Sequence, residues 1–173
     1  RPIRMPGYPI NSRIDALLKE EFDIYREKQE PHPIFKEHNL NFIPFKMDKE
    51  KLNNFRNNRK GVRAKSTKTN FTIYGAIDDL WFNKDNDEIV VVDYKATSNK
   101  YGIDYVNSKM AYHKAYLRQL DFYAYLLKLN KFKVFKTGYW FICNAQYKDQ
   151  KTFSGNLNFT IDLLSYDIKT DYI

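Results

Sequence analysis

The sequence contains almost no residues that form covalent cross-links and no apolar run long enough to cross a membrane. Cys143 is the only cysteine among 173 residues, so no disulfide, cysteine-ligated zinc site or iron–sulfur cluster can be built within this chain alone. No apolar stretch approaches the roughly 20 residues of a membrane-spanning helix, and no signal peptide, repeat or low-complexity segment is visible. This composition is typical of a reducing, intracellular compartment, and we predict a cytoplasmic location.

Acidic residues are also comparatively few. The chain has 29 Lys+Arg against 21 Asp+Glu, which gives a net charge of +8 and a pI near 9.3. A basic balance of this kind favours a polyanionic partner such as nucleic acid, although a solvated basic surface explains it equally well. The most basic segment covers residues 56–68 and could hold phosphate groups. Its four candidate phosphate-binding residues are Arg59, Lys60, Arg63 and Lys65.

The pattern of apolar residues predicts an α/β protein. At 173 residues the chain can bury a sizeable core, so we predict a single domain over residues 1–173. A start at Arg1 rather than Met suggests a processed or trimmed chain. Hydrophobic periodicity and turn signals predict the elements in this order. They are a helix from Ser12 to about Gln29, a short helix at 49–56, strands at 62–65, 71–82 and 89–97, a loop at 98–108, a helix at 110–129, and strands at 133–145 and 156–164.

The most informative pattern lies in residues 75–95. Two β-branched and aromatic runs flank a polar break at 83–87, which predicts a β-hairpin. The simplest symmetric pairing places Asp78 directly opposite Asp93. Because side chains on a strand alternate between its faces, Asp93 and Lys95 share one face of the predicted sheet. We therefore expect two carboxylates and one ammonium group to lie close together within a very apolar sheet.

Such a cluster of charges has two interpretations. The simpler one is a set of polar residues at the frayed end of a strand, and a D-x-K tripeptide alone favours it. The other is a metal site, because two neighbouring carboxylates repel each other and are costly to remove from water. A hard divalent cation such as Mg²⁺ prefers oxygen ligands and would relieve that repulsion. The opposed Asp78 and the apolar run before Asp93 favour the metal site.

Three short motifs follow one another along the chain, namely Gly75-Ala76-Ile77-Asp78, Asp93-Tyr94-Lys95 and Gln119-Leu120-Asp121-Phe122-Tyr123. Their combination resembles the PD-(D/E)XK nuclease superfamily, and within it the RecB-like and Cas4-like branch, which shows G-x-[I/V]-D, D-x-K and Q-x-x-x-Y. The resemblance implies a restriction-endonuclease-like α/β fold with a central mixed β-sheet flanked by helices. The expected order is αβββαβ with an extra C-terminal strand.

The resemblance also implies roles for the residues of the first two motifs. Asp78 and Asp93 would hold Mg²⁺ or Mn²⁺, and the backbone carbonyl of Tyr94 would complete part of the coordination shell. Lys95 would orient or activate the attacking water. The cysteine cluster of Cas4-like proteins is absent from this sequence, so the resemblance implies no iron–sulfur cluster here.

Two further positions leave alternatives open. Gln119 and Tyr123 lie four residues apart on one helix face, and they would either contact DNA or support the site. The RecB-like branch usually has a His or Glu on its first helix, but no His occurs in residues 14–25. Asp15 is the best positional match for this third metal ligand. The alternatives are Glu20 and Glu21.

The sequence therefore supports two functional hypotheses from different classes. The first is a Mg²⁺- or Mn²⁺-dependent DNA nuclease that hydrolyses phosphodiester bonds in repair, recombination or defence, with RNA left open as a substrate. A helicase or another nucleic-acid-processing protein would be a partner, and no membrane association is expected. The alternative is a non-catalytic nucleic-acid-binding or protein-interaction module that retains the nuclease fold, a hypothesis motivated by the missing first-helix His.

Overall fold

The computed structural model describes residues 9–66, 69–100, 111–146, 152 and 154–173. It contains both helices and strands, and none of the described helices is long and apolar enough to span a bilayer. The elements are α1 (Pro9–Lys28), α2 (Pro33–Glu37), β1 (Phe42–Pro44), α3 (Lys49–Arg56), β2 (Val62–Lys65), β3 (Thr72–Gly75), β4 (Asp79–Asn83), β5 (Glu88–Thr97), α4 (Ala111–Leu129), β6 (Thr137–Ala145) and β7 (Phe159–Asp167).

Five of these strands form one mixed sheet in the order β1-β4-β5-β6-β7. The β5 and β6 strands are parallel, whereas the other three neighbouring pairs are antiparallel. A parallel pair needs a long crossover between its strands, and α4 lies within that connection. The β2 and β3 strands form a separate two-stranded sheet. The predicted α/β fold, a central mixed sheet flanked by helices, is confirmed.

Both faces of the main sheet are buried, which explains the uninterrupted apolar run of β5. On one face, Phe22 of α1 stacks on Trp81 with a ring-centroid distance of 5.4 Å and packs with Val92. On the other face, Leu120 of α4 packs in a cluster that includes Val91. Successive residues of β5 therefore enter different cores, as expected for a central strand covered on both sides.

The C-terminal end of the first helix agrees with the prediction, but its N-terminal start does not. It ends at Lys28, ahead of Pro31, but it begins at Pro9 rather than after a cap at Ser12. Proline suits the first helical position because its missing N–H would have no partner there.

The predicted single strand at 71–82 is wrong, because this stretch is divided between two sheets. The β3 strand ends at Gly75, and β4 begins at Asp79 in the main sheet. Between them, buried Ile77 donates its backbone N–H to Phe55 O over 3.1 Å instead of to a strand partner. This contact with the end of α3 interrupts the ladder and lets the chain pass from one sheet to the other.

Other boundaries differ by a few residues. The strand predicted at 133–145 begins at Thr137, with Val134 forming only an isolated bridge to Ile89. The last strand covers 159–167 instead of 156–164. Two elements in the polar segment after α1, the short helix α2 and the edge strand β1, were not predicted. The predicted loop at 98–108 and the start of the following helix at Met110 lie largely outside the described residues.

A pair of glycine substitutions tests how the two-stranded sheet is joined. Gly61 has φ of +58°, and a Cβ there would lie 2.6 Å from Gly75 O. We expect Gly61→Ala to lower the free energy of unfolding by about 2–4 kcal/mol, because it combines backbone strain with a clash against main chain.

The matched control is Gly155→Ala, since Gly155 has φ of +85° but no heavy atom of the described chain within 4 Å of its ideal Cβ. This variant carries only the conformational cost, about 1–2 kcal/mol. Urea unfolding of both variants measures the difference. Equal losses would mean that the contact between Gly61 and Gly75 does not constrain the fold.

Candidate active site

The hairpin at the centre of the predicted site has the expected register. Asp79 pairs with Val92 and each following pair along β4 and β5 obeys the same symmetry, so Asp78 and Asp93 occupy the next pair. Asp78 stands one residue before β4, and its Oδ2 accepts a hydrogen bond from the backbone N–H of Tyr94 over 2.9 Å. The turn chemistry and β-branched runs therefore position the two carboxylates as the sequence predicted.

Asp93 is the most unusual group in this cluster. Its side chain is 1% exposed, and its Oδ2 lies 2.5 Å from Lys95 Nζ. Apart from this ion pair, neither carboxylate oxygen accepts a hydrogen bond within the part of the chain that the structure describes. Burial raises the pKa of Asp93 to about 7, the charge of Lys95 opposes that rise, and the charge of Asp78 adds to it. A buried carboxylate is thus left short of partners.

Lys95 is held by residues of α4 as well as by Asp93. Its Nζ donates to Gln119 Oε1 over 3.1 Å and lies 4.4 Å from the ring centroid of Tyr116. Gln119 in turn donates from Nε2 to the hydroxyl of Tyr123 over 2.7 Å. The i,i+4 spacing predicted that Gln119 and Tyr123 are neighbours, which the structure confirms. Their contacts connect α4 to the ammonium group of Lys95.

The first helix contributes a charged pair to the same site. Lys19 Nζ lies 2.7 Å from Asp15 Oδ2 and 3.3 Å from Asp78 Oδ1, so it bridges the two carboxylates. The other two candidates on α1 are engaged elsewhere, since Glu20 pairs with Arg13 and Glu21 with His32. A cleft of about 470 Å³ opens here. Its lining includes Asp15, Lys19, Arg56, Asp78, Lys95 and Tyr116.

Behind the cleft lies a buried ionic network that the sequence reasoning missed. Asp79 is fully buried; its Oδ2 accepts the hydroxyl proton of Tyr94 over 2.7 Å, and its Oδ1 pairs with Arg26 and Arg56. Asp23 forms ion pairs with both arginines. Burial raises the pKa of Tyr94 well above its usual value, which keeps this hydroxyl a donor. The i,i+3 spacing of Asp23 and Arg26 is visible in the sequence, but no spacing signals the pairing of Asp79 with Arg26 and Arg56, because these contacts join distant segments.

The same network supports the acidic site directly. Arg56 donates from Nε to the backbone carbonyl of Asp78 over 3.0 Å while its Nη2 contacts Asp79. Because adjacent strand residues point to opposite faces, Asp79 faces the α1 core and Asp78 faces the cleft. The two neighbouring aspartates therefore have different environments, one neutralised inside the protein and one available to the solvent.

The four predicted phosphate-binding residues do not line the cleft. Arg59 and Lys60 lie in the turn between α3 and β2, and Arg63 and Lys65 lie on β2 with exposed side chains. Of the described part of that basic segment, residues 56–66, only Arg56 and Asn58 are among the residues that line the cleft. The structure brings the Asp78, Asp93, Lys95, Gln119 and Tyr123 group together. Of the four basic residues, Arg63 and Lys65 lie on the β2–β3 hairpin and Arg59 and Lys60 lie in the turn before it.

The donor set suits a hard divalent cation in part. Two carboxylates and the carbonyl of Tyr94 are oxygen donors of the kind that Mg²⁺ prefers, and among the described residues buried Asp93 has only the Lys95 ion pair to offset its charge. Among the described residues, no group of three or more His, Cys, Asp or Glu is arranged to hold a metal. The third side-chain ligand expected on α1 is thus not placed, because Lys19 lies between Asp15 and Asp78.

The fold and the site together define a class of protein, an α/β domain with a cleft that is lined by both acidic and basic side chains at the open end of the β4–β5 hairpin. The family model of the PD-(D/E)XK nuclease superfamily matches residues 8–167, and the chain belongs to this superfamily. Comparison with curated proteins and with solved structures gives no significant match.

The adjacent aspartates give the first test of this site. We expect Asp79→Asn to lower the free energy of unfolding by about 3–4 kcal/mol, because it leaves buried Arg26 and Arg56 short of a negative charge. The matched substitution Asp78→Asn keeps a carbonyl oxygen for Tyr94 N–H and affects a partly exposed ion pair, so a change below about 1 kcal/mol is expected. Denaturant unfolding distinguishes them, and equal effects would contradict the division of roles.

A second test uses the raised pKa of Asp93 in metal-free protein. Between about pH 4 and pH 7 the folded state keeps a proton that the unfolded state has released, so this group makes stability fall as the pH rises through that range. The loss is at most about 4 kcal/mol and is complete above pH 7. Asp93→Asn removes it.

The measurement is the free energy of unfolding of both proteins in EDTA at pH 5 and pH 8. The wild type should lose more stability between the two pH values than Asp93→Asn. Adding Mg²⁺ at pH 8 should stabilise the wild type selectively, because a ligand that binds only the folded state raises its stability. Identical pH profiles of stability for the wild type and Asp93→Asn would show that the pKa of Asp93 is not raised in the folded protein.

Proposed function

We propose that this protein is a metal-dependent DNA nuclease that hydrolyses phosphodiester bonds. The observation that carries the proposal is Asp93, a buried carboxylate with a raised pKa beside Asp78 and in contact with Lys95. Burying such a carboxylate costs free energy of folding, and groups of this kind cluster at functional sites. Membership of a nuclease superfamily offers a function for it. The Asp93-Tyr94-Lys95 motif would then be the centre of the reaction.

Asp78, Asp93 and the backbone carbonyl of Tyr94 would hold Mg²⁺ or Mn²⁺. When bound, such a cation supplies an activated water and positive charge against the phosphate oxygens. We assign Lys95 to orienting that water and stabilising the negative charge that develops on the phosphate. Its Nζ lies against acceptor oxygens of Asp93 and Gln119, which favours an ammonium group over a proton acceptor.

The residues around Lys95 act as positioning residues in this proposal. Gln119 receives a hydrogen bond from Lys95 and donates one to Tyr123, so their contacts favour support of the site over direct contact with DNA. Asp15 as a metal ligand stays a prediction. It could ligate the same cation as Asp78 only if Lys19 moved from between them.

The alternative is a non-catalytic nucleic-acid-binding or protein-interaction module. The bridging position of Lys19 favours it, because a cation already lies beside Asp78 where a third ligand was expected. The RecB-like branch, a role in repair, recombination or defence, DNA over RNA as substrate, a helicase partner and a cytoplasmic location are further parts of the proposal that rest on sequence motifs and composition.

Cleavage of end-labelled linear DNA and closed circular DNA tests the proposal, with Mg²⁺, Mn²⁺ or EDTA in separate reactions. We expect metal-dependent cleavage by the wild type and a loss of about 10³-fold or more in Asp93→Ala. The matched control is Asp85→Ala, which removes a carboxylate bonded to Asn41 at the far end of the same hairpin and should leave the rate unchanged.

The pattern of products decides between the remaining alternatives. Loss of the linear substrate alone indicates an exonuclease, whereas nicking of the circle indicates an endonuclease. An unchanged rate in Asp93→Ala would exclude the proposed site. DNA binding without cleavage in any reaction would support the binding module instead.

A further inference from the structure

The β2–β3 hairpin has one face against the protein and one face in solvent. Its inner residues Val62, Ala64 and Ile73 join the core beneath α4, and Asn130 at the end of α4 donates to Arg63 O over 3.0 Å. The hairpin is therefore firmly attached. Its outer face presents Arg63, Lys65, Thr72 and Tyr74, which pair across the strands as Arg63 with Tyr74 and Lys65 with Thr72.

This outer face is strongly positive. No Asp or Glu occurs in the sequence between Arg56 and Asp78, whereas Arg59, Lys60, Arg63 and Lys65 all carry exposed side chains. Neighbouring acids therefore do not neutralise the cations along the chain. A surface of this kind attracts a polyanion and disfavours a partner that is simply apolar.

Two aromatic rings stand among these cations. Phe71 directly precedes β3 and is 73% exposed, and Tyr74 is 47% exposed. The guanidinium carbon of Arg63 lies 4.6 Å from the centroid of the Tyr74 ring. Arg63 also donates to the backbone carbonyls of Lys60 and Arg59, over 2.8 and 2.6 Å. The ring and the guanidinium group thus form a platform whose orientation is fixed in advance.

The platform lies close along the chain to the candidate active site. Tyr74 lies four residues before Asp78, which limits their Cα separation to roughly 14 Å. At the base of the hairpin, an ideal Cβ on Gly75 would approach Tyr123 Cε1 to 2.9 Å, so glycine lets the strand pass directly over the ring that bonds Gln119. A nucleic-acid strand bound in the cleft could reach the platform within a few nucleotides, because stacked nucleotides are about 3.4 Å apart.

We propose that the outer face of the β2–β3 hairpin, together with exposed Phe71 at the turn end of the hairpin, binds single-stranded nucleic acid by stacking unpaired bases on Tyr74 and Phe71. Aromatic rings among cations are the combination that single-strand binding uses, because each base offers a flat face and each nucleotide a phosphate. Bases inside a duplex have both faces covered by their neighbours. This inference rests on the proposed function and deepens it, because it names the substrate as nucleic acid with an unpaired segment.

Binding is measured without cleavage, by fluorescence anisotropy in EDTA with a labelled oligothymidylate and a blunt duplex of equal length. We expect Phe71→Ala and Tyr74→Ala each to weaken single-strand binding about 5- to 100-fold. Their effect on duplex binding should stay within about twofold, because phosphate contacts remain. Tyr74→Phe, which keeps the ring beside Arg63, should bind as the wild type does.

Three further variants separate stacking from charge and from general exposure. Ile161→Ala removes an exposed apolar side chain on β7, 52% exposed, and should change neither affinity. Lys65→Ala should weaken single-strand and duplex binding alike and lower the salt slope by about 0.7–0.9. Phe71→Trp adds an exposed indole to a protein whose own tryptophans, Trp81 and Trp140, are buried. Single-stranded oligonucleotide should quench the fluorescence of the new indole, whereas duplex should not.

Equal loss of single-strand and duplex binding in the aromatic variants would overturn the inference. Wild-type affinity for single strands in both Phe71→Ala and Tyr74→Ala would overturn it as well. Displacement of oligothymidylate by polyglutamate at equal charge concentration would also overturn it, since that result means a surface selective only for negative charge. If Asp93→Ala abolishes cleavage while the aromatic variants bind normally, the nuclease proposal stands and this inference fails. If the aromatic variants lose single-strand binding selectively but the wild type cleaves no substrate, the inference stands and the nuclease proposal fails.

Discussion

The buried carboxylate of Asp79 is the group on which the geometry of the site depends. It joins Arg26 of α1, Arg56 of α3 and the hydroxyl of Tyr94 on β5. A charge at this depth is stable only with such partners, and each partner comes from a different element. Arg56 then uses its remaining donor on the carbonyl of Asp78. The interactions that neutralise one aspartate therefore fix the main chain of the next.

The alternation of a β-strand explains how adjacent residues acquire opposite properties. Asp79 and Tyr94 point into the core beneath α1, where the network satisfies them. Asp78, Asp93 and Lys95 belong to the other face, where Gln119 and Tyr116 of α4 contact Lys95. The first face supplies stability, and the second retains a carboxylate with a raised pKa. A single hairpin thus carries a neutralised aspartate on one face and the candidate site on the other.

Positive charge around the site is distributed in two layers. Lys19 and Lys95 lie against the carboxylates themselves, where they offset repulsion between Asp78 and Asp93. The exposed cations of the 59–65 segment lie outside the cleft, on the β2–β3 hairpin and in the turn before it. The inner layer is short-ranged and specific in geometry, whereas the outer layer acts through the field that an extended polyanion would experience.

The sequence by itself determined the features that follow from local periodicity. A polar turn between two β-branched runs set the register that brings Asp78 opposite Asp93, and a four-residue spacing made Gln119 and Tyr123 neighbours. Only the tertiary structure decided the pairs between distant segments, which no periodicity encodes. Examples are Arg26 with Asp79, 53 residues apart, Lys19 with Asp78, 59 residues apart, and the contact of Ile77 with α3 that divides the expected strand between two sheets. Such contacts arise when whole elements pack, because burial then forces each charge and each backbone group to find a partner.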